Sequence, residues 1–232
     1  MKHLFFVCAF LAATSLCWAS SWFNSNIFTP DSVEIYKTAD GQDLELFIFY
    51  PDSGVPAEPA PGIVLFHGGG YTSGQPSQFY YVCDYLTSRG MVAISARYRL
   101  NNPDKARMDG KSAMRYVYAN AARLGIDPGF LASGGGSAGG NLAMSITIPD
   151  QWNDPADDLN ASAAPNALVL FNPVGTVTET SAPVGSDVPP TLALWGDDDK
   201  FISPEGALGL QQYVLDMGVR MEIEIYPGQQ HS

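Results

Sequence analysis

The chain predicts a doubly wound α/β sandwich on a mostly parallel sheet. From Ile63 onward, strand-like and helix-like segments alternate, as a sheet wrapped on both faces by helices requires. The run Ile63-Val64-Leu65-Phe66 is continuously apolar, the pattern of a strand buried on both faces. Helix-like stretches end at Gly90, Gly125 and Gly218, where glycine supplies the left-handed stop. With 232 residues, 46% of them hydrophobic, the chain can build one domain with a substantial core, and it shows no internal repeat. A net charge of -12 argues against nucleic acid or anionic membrane surfaces as partners, because both repel an acidic protein.

Residues 1–19 read as a secretory signal peptide: Met1-Lys2-His3, an apolar run from Leu4 to Leu16, then Cys17-Trp18-Ala19 with a cut after Ala19. The run is too short for a membrane span, and Leu16 is bulkier than the residue that a lipid-anchored Cys17 wants before it. Residues 20–232 are then the mature domain, in a secreted or periplasmic setting. Cys8 and Cys17 leave with the leader, so Cys83 is alone and no internal disulfide can form. Its apolar neighbours Phe79, Val82 and Leu86 make it a buried structural thiol.

Taken in order, Val33 to Lys37 and Leu44 to Tyr50 read as an antiparallel pair around Asp40-Gly41. After a proline-rich loop and the strand at Ile63, Pro76 opens a helix to about Arg89, and Met91 to Ser95 is a strand. A long helix from Asn102-Pro103 to Leu124 carries the core stripe Ala113, Val117, Ala121 and Leu124, with Gly110 weakening its first half. Phe130 to Ala132 is a strand, Asn141 to Thr147 a helix, Asp150 to Pro165 an acidic loop and Ala167 to Phe171 a strand. A polar stretch from Pro173 to Pro190 precedes the strand Thr191 to Trp195. Ser203-Pro204-Glu205 then starts a helix to Met217, with Glu205 as its helix-end charge, and Met221 to Ile225 alternates as a last strand.

The chemistry centres on Gly135-Gly136-Ser137-Ala138-Gly139, a G-x-S-x-G between a strand and a helix. Such a turn holds the serine in a strained backbone and aims the first helix amides at the same point, where an anion is stabilised. A Walker phosphate cradle would need Lys and then Ser or Thr after the loop, and here Gly140-Asn141 follows. Ser137 is the candidate nucleophile, and a serine needs a base. Of three histidines, His3 goes with the leader and His67 precedes a glycine run whose amides are the useful groups, which leaves His231. Asp197-Asp198-Asp199 lies between the serine and histidine segments and offers the carboxylate that orients a base. Three consecutive acids cannot converge on one calcium ion, which also needs oxygens from further along. The glycines of His67-Gly68-Gly69-Gly70 let backbone amides approach a tetrahedral oxyanion.

The motifs His67-Gly68-Gly69-Gly70, Arg97-Tyr98-Arg99-Leu100, Leu124-Gly125-Ile126-Asp127-Pro128, Gly135 to Gly140, Gly196-Asp197-Asp198-Asp199 and His231 resemble those of α/β-hydrolase carboxylesterases. The similarity is to the compact secreted group that includes feruloyl- and acetylxylan-esterase-like enzymes, with the hormone-sensitive-lipase-like branch related to it. The resemblance implies an α/β-hydrolase fold without a sizeable cap and a serine esterase without metal or organic cofactor. Its substrate would be a small or polysaccharide-linked ester. Carried over by position, Ser137 is the nucleophile, Asp199 the orienter and His231 the base, with the amides of Gly69, Gly70 and Ala138 as oxyanion hole. Members of the group normally continue past a histidine such as His231 into a closing helix, so the end at Ser232 reads as a missing segment. A peptidase of the same fold would be expected to add a propeller or bulky cap, and a binding protein on the same scaffold would be expected to lack a triad member.

Overall fold

A computed structural model describes residues 27–174 and 188–231. The leader, most of the stretch from Pro173 to Pro190, and Ser232 lie outside the described residues. The described strands form one eight-stranded sheet in the order β1-β2-β4-β3-β5-β6-β7-β8. They are β1 (Ser32–Ala39), β2 (Gln42–Phe49), β3 (Ala60–Phe66), β4 (Val92–Ala96), β5 (Ile126–Gly136), β6 (Ala167–Phe171), β7 (Thr191–Gly196) and β8 (Met221–Tyr226). The predicted hairpin is the β1–β2 pair; β2 also runs antiparallel to β4, and the other pairings are parallel. Alternation in β2 does what period-2 patterning demands, with Leu44, Leu46 and Ile48 fully buried on one face.

Among the described residues four α-helices cover the sheet: α1 (Tyr80–Thr87), α2 (Pro103–Ala119), α3 (Ala138–Ile146) and α4 (Pro204–Asp216). Their starts follow local rules. Asn102 caps α2 by accepting from Lys105 N, and Ser203 caps α4 by accepting from Gly206 N, each followed by proline in the first turn. Three sequence expectations shift. The helix opened by Pro76 begins as a 3₁₀ turn, Pro76–Phe79, and becomes α-helical only at Tyr80. The long helix ends at Ala119 rather than Leu124; Ala121 and Leu124 are nevertheless buried, because the turns that follow carry them into the main core cluster. The strand expected at Phe130 to Ala132 runs from Ile126, with a register break that leaves Phe130 exposed and Leu131 buried.

Gly110 has a different role from the one its propensity suggests. A Cβ there would lie 2.4 Å from Leu142 Cδ2, so its bare backbone is what lets α2 pack against α3. The acidic loop after α3 is also tied down rather than free. Asp154 pairs with Lys37, Asp157 pairs with Arg115 at 3.0 Å and accepts from Ser112, and Asn153 accepts from Arg115. Cys83 is fully buried on α1 in a cluster with Phe49, Phe79 and Ala93, and burial pushes its thiol well above the ordinary range, so it is inert at neutral pH. Among the described residues no helix is long and apolar enough to cross a membrane.

Candidate active site

Ser137 stands between β5 and α3 with φ 52° and ψ -119°, a left-handed conformation that L-residues rarely adopt. The surroundings enforce it. Ser137 N donates to Phe171 O at 3.0 Å, and Ser137 O accepts from Asn141 N at 3.1 Å and Val174 N at 3.2 Å. The glycines on either side are obligatory for a steric reason: a Cβ at Gly139 would sit 2.0 Å from Phe66 O, and one at Gly135 2.5 Å from the same atom. The start of α3 therefore lies directly against the end of β3, and the turn is as tight as the motif implied.

His231, in the loop after β8, reaches this serine across 94 positions of sequence, with Nε2 2.8 Å from Ser137 Oγ. Its Nδ1 lies 2.8 Å from Asp199 Oδ2. An ionised carboxylate only accepts, so Nδ1 carries the proton and Nε2 is left free to accept from the serine hydroxyl. Asp199 is nearly buried at the end of β7, and its Oδ1 accepts from Phe201 N at 2.8 Å and Ile202 N at 3.1 Å. Burial alone would raise its carboxyl, but the bonds from His231, Asn172 and these two amides outweigh it and hold the group below the usual range.

The other two acids of the run have separate tasks. Asp197 Oδ1 accepts from Gly228 N at 2.6 Å, and Asp198 pairs with Lys200 and accepts from Gln230 Nε2 at 3.2 Å. Both brace the loop that carries His231. That loop comes so close to β7 that a Cβ at Gly196 would lie 2.2 Å from Gln229 O. The structure thus brings Ser137, His231 and Asp199 together and turns Asp197 and Asp198 elsewhere.

Opposite the serine, the loop after β3 is locked peptide by peptide. Tyr98 Oη donates to His67 O at 2.7 Å, and His67 Nδ1 lies 2.8 Å from Gly68 O. Gly69 O accepts from the amides of Thr72 and Ser73, each at 3.0 Å. In a trans peptide the C=O and the following N–H point in opposite directions. With the carbonyls of Gly68 and Gly69 held this way, the amides of Gly69 and Gly70 face the other side. Neither amide, nor that of Ala138 at the start of α3, has an acceptor among the described residues. His67 itself is buried and stacked on Tyr98 at 4.3 Å between ring centroids, and burial lowers its affinity for a proton. That fits a structural ring and leaves His231 as the base candidate.

A family model described as the α/β hydrolase fold matches residues 63–192, more than half of the chain. The chain belongs to the α/β-hydrolase family. Solved structures that share this fold include esterase 2 of Thermogutta terrifontis phosphorylated by paraoxon. That structure is 33% identical with a TM-score of 0.79, covering 87% of this chain and 84% of its own. The propionate-bound form of the same esterase superposes with a TM-score of 0.79 at 31% identity, over the same shares of the two chains. Among curated proteins, the ethyl acetate hydrolase of Pseudomonas putida is 32% identical over 144 residues, 59% of this chain and 42% of that protein. The AB hydrolase superfamily protein C1039.03 of Schizosaccharomyces pombe is 37% identical over 104 residues, 43% of this chain and 30% of that protein. The chain thus spans less than half the length of these curated relatives.

As an α/β-hydrolase, the protein carries two supporting residues that its motifs did not reveal. Asn172, just past β6, has φ 42° and donates through Nδ2 to Asp199 Oδ2 at 2.7 Å. Asn is the residue best suited to a left-handed position that must also offer a side-chain donor, but nothing local in Phe171-Asn172-Pro173 says that a carboxylate 27 positions away is waiting. Phe201, largely exposed, sets its ring 4.7 Å from that of His231, tilted by 48° against the imidazole. Neither position shows a spacing or composition signal in the sequence.

Proposed function

We propose that this α/β-hydrolase is a serine carboxylester hydrolase that works through an acyl-enzyme on short-chain acyl esters. The observation that carries the proposal is the continuous chain of 2.8 Å contacts from Ser137 Oγ through His231 to Asp199, together with three amides, in the loop after β3 and at the start of α3, that lack acceptors among the described residues. Ser137 Oγ attacks the ester carbonyl carbon while its proton passes to His231 Nε2, and the carbonyl oxygen becomes an oxyanion held by the amides of Gly69, Gly70 and Ala138. Collapse of this tetrahedral species breaks the bond to the alcohol oxygen, which takes the proton from His231. Water, deprotonated by the same nitrogen, then attacks the acyl carbon and releases the acid and Ser137. Asp199 keeps the imidazole in the reactive tautomer and stabilises its cationic form.

Short acyl groups are favoured by relatives named for them: an ethyl acetate hydrolase, and an esterase solved with propionate and with butyrate bound. Acetyl or feruloyl groups on a polysaccharide are the extended form of the same substrate class. The leader pattern at residues 1–19 further supports export to a secreted or periplasmic location. The test is a fluorophosphonate probe together with nitrophenyl esters of increasing acyl length and with acetylated and feruloylated xylan. Labelling of Ser137, its loss with turnover in Ser137→Ala, and rates falling beyond about butyryl are expected. Full turnover in Ser137→Ala would overturn the nucleophile, and rates rising steadily to dodecanoyl would overturn the acyl class. A peptidase or a non-catalytic binding protein would show itself by amide cleavage or by no turnover of any ester.

A further inference from the structure

We infer that Gln78 is a positioning residue for the oxyanion hole, acting through the backbone of Gly68. The inference rests on the esterase reading above. Gln78 Oε1 accepts from Gly68 N at 2.5 Å. At the other end of the same peptide unit, Tyr98 Oη donates to His67 O at 2.7 Å. One peptide is therefore gripped from both sides by side chains, immediately before the two amides that lack acceptors among the described residues. A point one Cβ bond from Gly68 lies 3.2 Å from Ser137 Cβ, so the gripped peptide borders the nucleophile.

Gln78 is presented by a rigid support. Its 3₁₀ turn, Pro76–Phe79, buries Pro76 and Phe79 and is anchored to β4 by Ser95 Oγ, which donates to Pro76 O at 2.7 Å. The bond has two consequences. It removes the Gly68 amide from the set of free donors, so the hole is built from Gly69 and Gly70 and not from Gly68. It also fixes the plane from which those amides are aimed, and an oxyanion gains only from donors already aligned when its charge develops. No hydrogen bond joins Gln78 to His231 or Asp199 among the described residues, so its effect is on charge stabilisation.

The test compares the parent with Gln78→Met, which keeps length and removes the acceptor, and with Tyr98→Phe, which removes only the donor at the other end. Turnover of a nitrophenyl butyrate is divided by active sites titrated with a fluorophosphonate, so unfolded protein does not count. Each variant is expected to lose about 10- to 100-fold in kcat with KM within about twofold of the parent, and to bind a trifluoromethyl ketone weaker by the same factor as kcat/KM. A merely structural role would lower the titrated fraction and the melting temperature and leave kcat per titrated site unchanged; that result in Gln78→Met overturns the inference. If the parent neither labels nor hydrolyses, the esterase reading fails first, and the result is distinguishable because no variant is needed to see it.

Discussion

Replacing Asp199 by Asn tests the proposed triad most sharply, because the replacement is nearly isosteric and its consequence follows from donor counting. In the structure Oδ1 accepts from two amides, those of Phe201 and Ile202, and Oδ2 accepts from His231 Nδ1 and Asn172 Nδ2. An asparagine has one oxygen. The two backbone amides cannot rearrange, so they hold that oxygen, and the new NH2 group lands where Oδ2 was, facing two donors. His231 can then meet it only by shifting its proton to Nε2, which turns a donor toward Ser137 Oγ and leaves the serine with no base. The expected loss is about 10⁴-fold in kcat, the scale seen when a triad carboxylate is made an amide. Asp197→Asn and Asp198→Asn remove only loop braces and should cost less than about tenfold. The assay is kcat on a short nitrophenyl ester per folded molecule, with folding checked by urea denaturation. Equal losses at the three positions, or an Asp199→Asn variant within about tenfold of the parent, would refute the donor argument.

Three further outcomes follow from particular contacts. Asn172→Gly removes the donor to Asp199 and relieves a left-handed strain of about 1 kcal/mol that roughly offsets the lost bond, so urea stability should hardly change while kcat falls about tenfold; unchanged kcat would show that the bond does nothing for the site. Gly110→Ala gains about 1 kcal/mol of helix propensity but drives a methyl against Leu142, at a cost of about 1–3 kcal/mol, and a raised denaturation midpoint would contradict the packing argument. Lys111 is buried, and loss of solvation pulls its pKa from 10.5 down to about 8, with the Arg115 charge adding to the effect. Between those values the unfolded chain holds a proton that the folded chain has released, so this lysine's contribution to stability should rise as pH increases from about 8 toward 10, against the opposite contribution of the buried Cys83 thiol. Relative to Lys111→Met the parent should therefore gain stability over that window, and a difference between the two that stays constant with pH would count against the buried lysine as its source.

Much of the architecture was legible in the sequence because it depends on local rules. Period-2 alternation in Leu44, Leu46 and Ile48, a serine cap before Pro204, and the glycines flanking Ser137 each follow from the backbone within a few residues of themselves. The serine and histidine candidates needed only a motif and elimination. Which of Asp197, Asp198 and Asp199 meets His231 rested on a family resemblance until the structure showed the loop crossing Gly196 and each acid finding a different partner. Asn172, Gln78 and the grip of Tyr98 on His67 were invisible, as was the true reason for Gly110. In each case the deciding contact joins elements far apart in sequence, with separations of 27 for Asn172 and Asp199 and 31 for Tyr98 and His67. A local pattern records what a residue does to its own backbone, whereas a hydrogen bond between two elements exists only once packing of the sheet and helices has fixed where both ends lie.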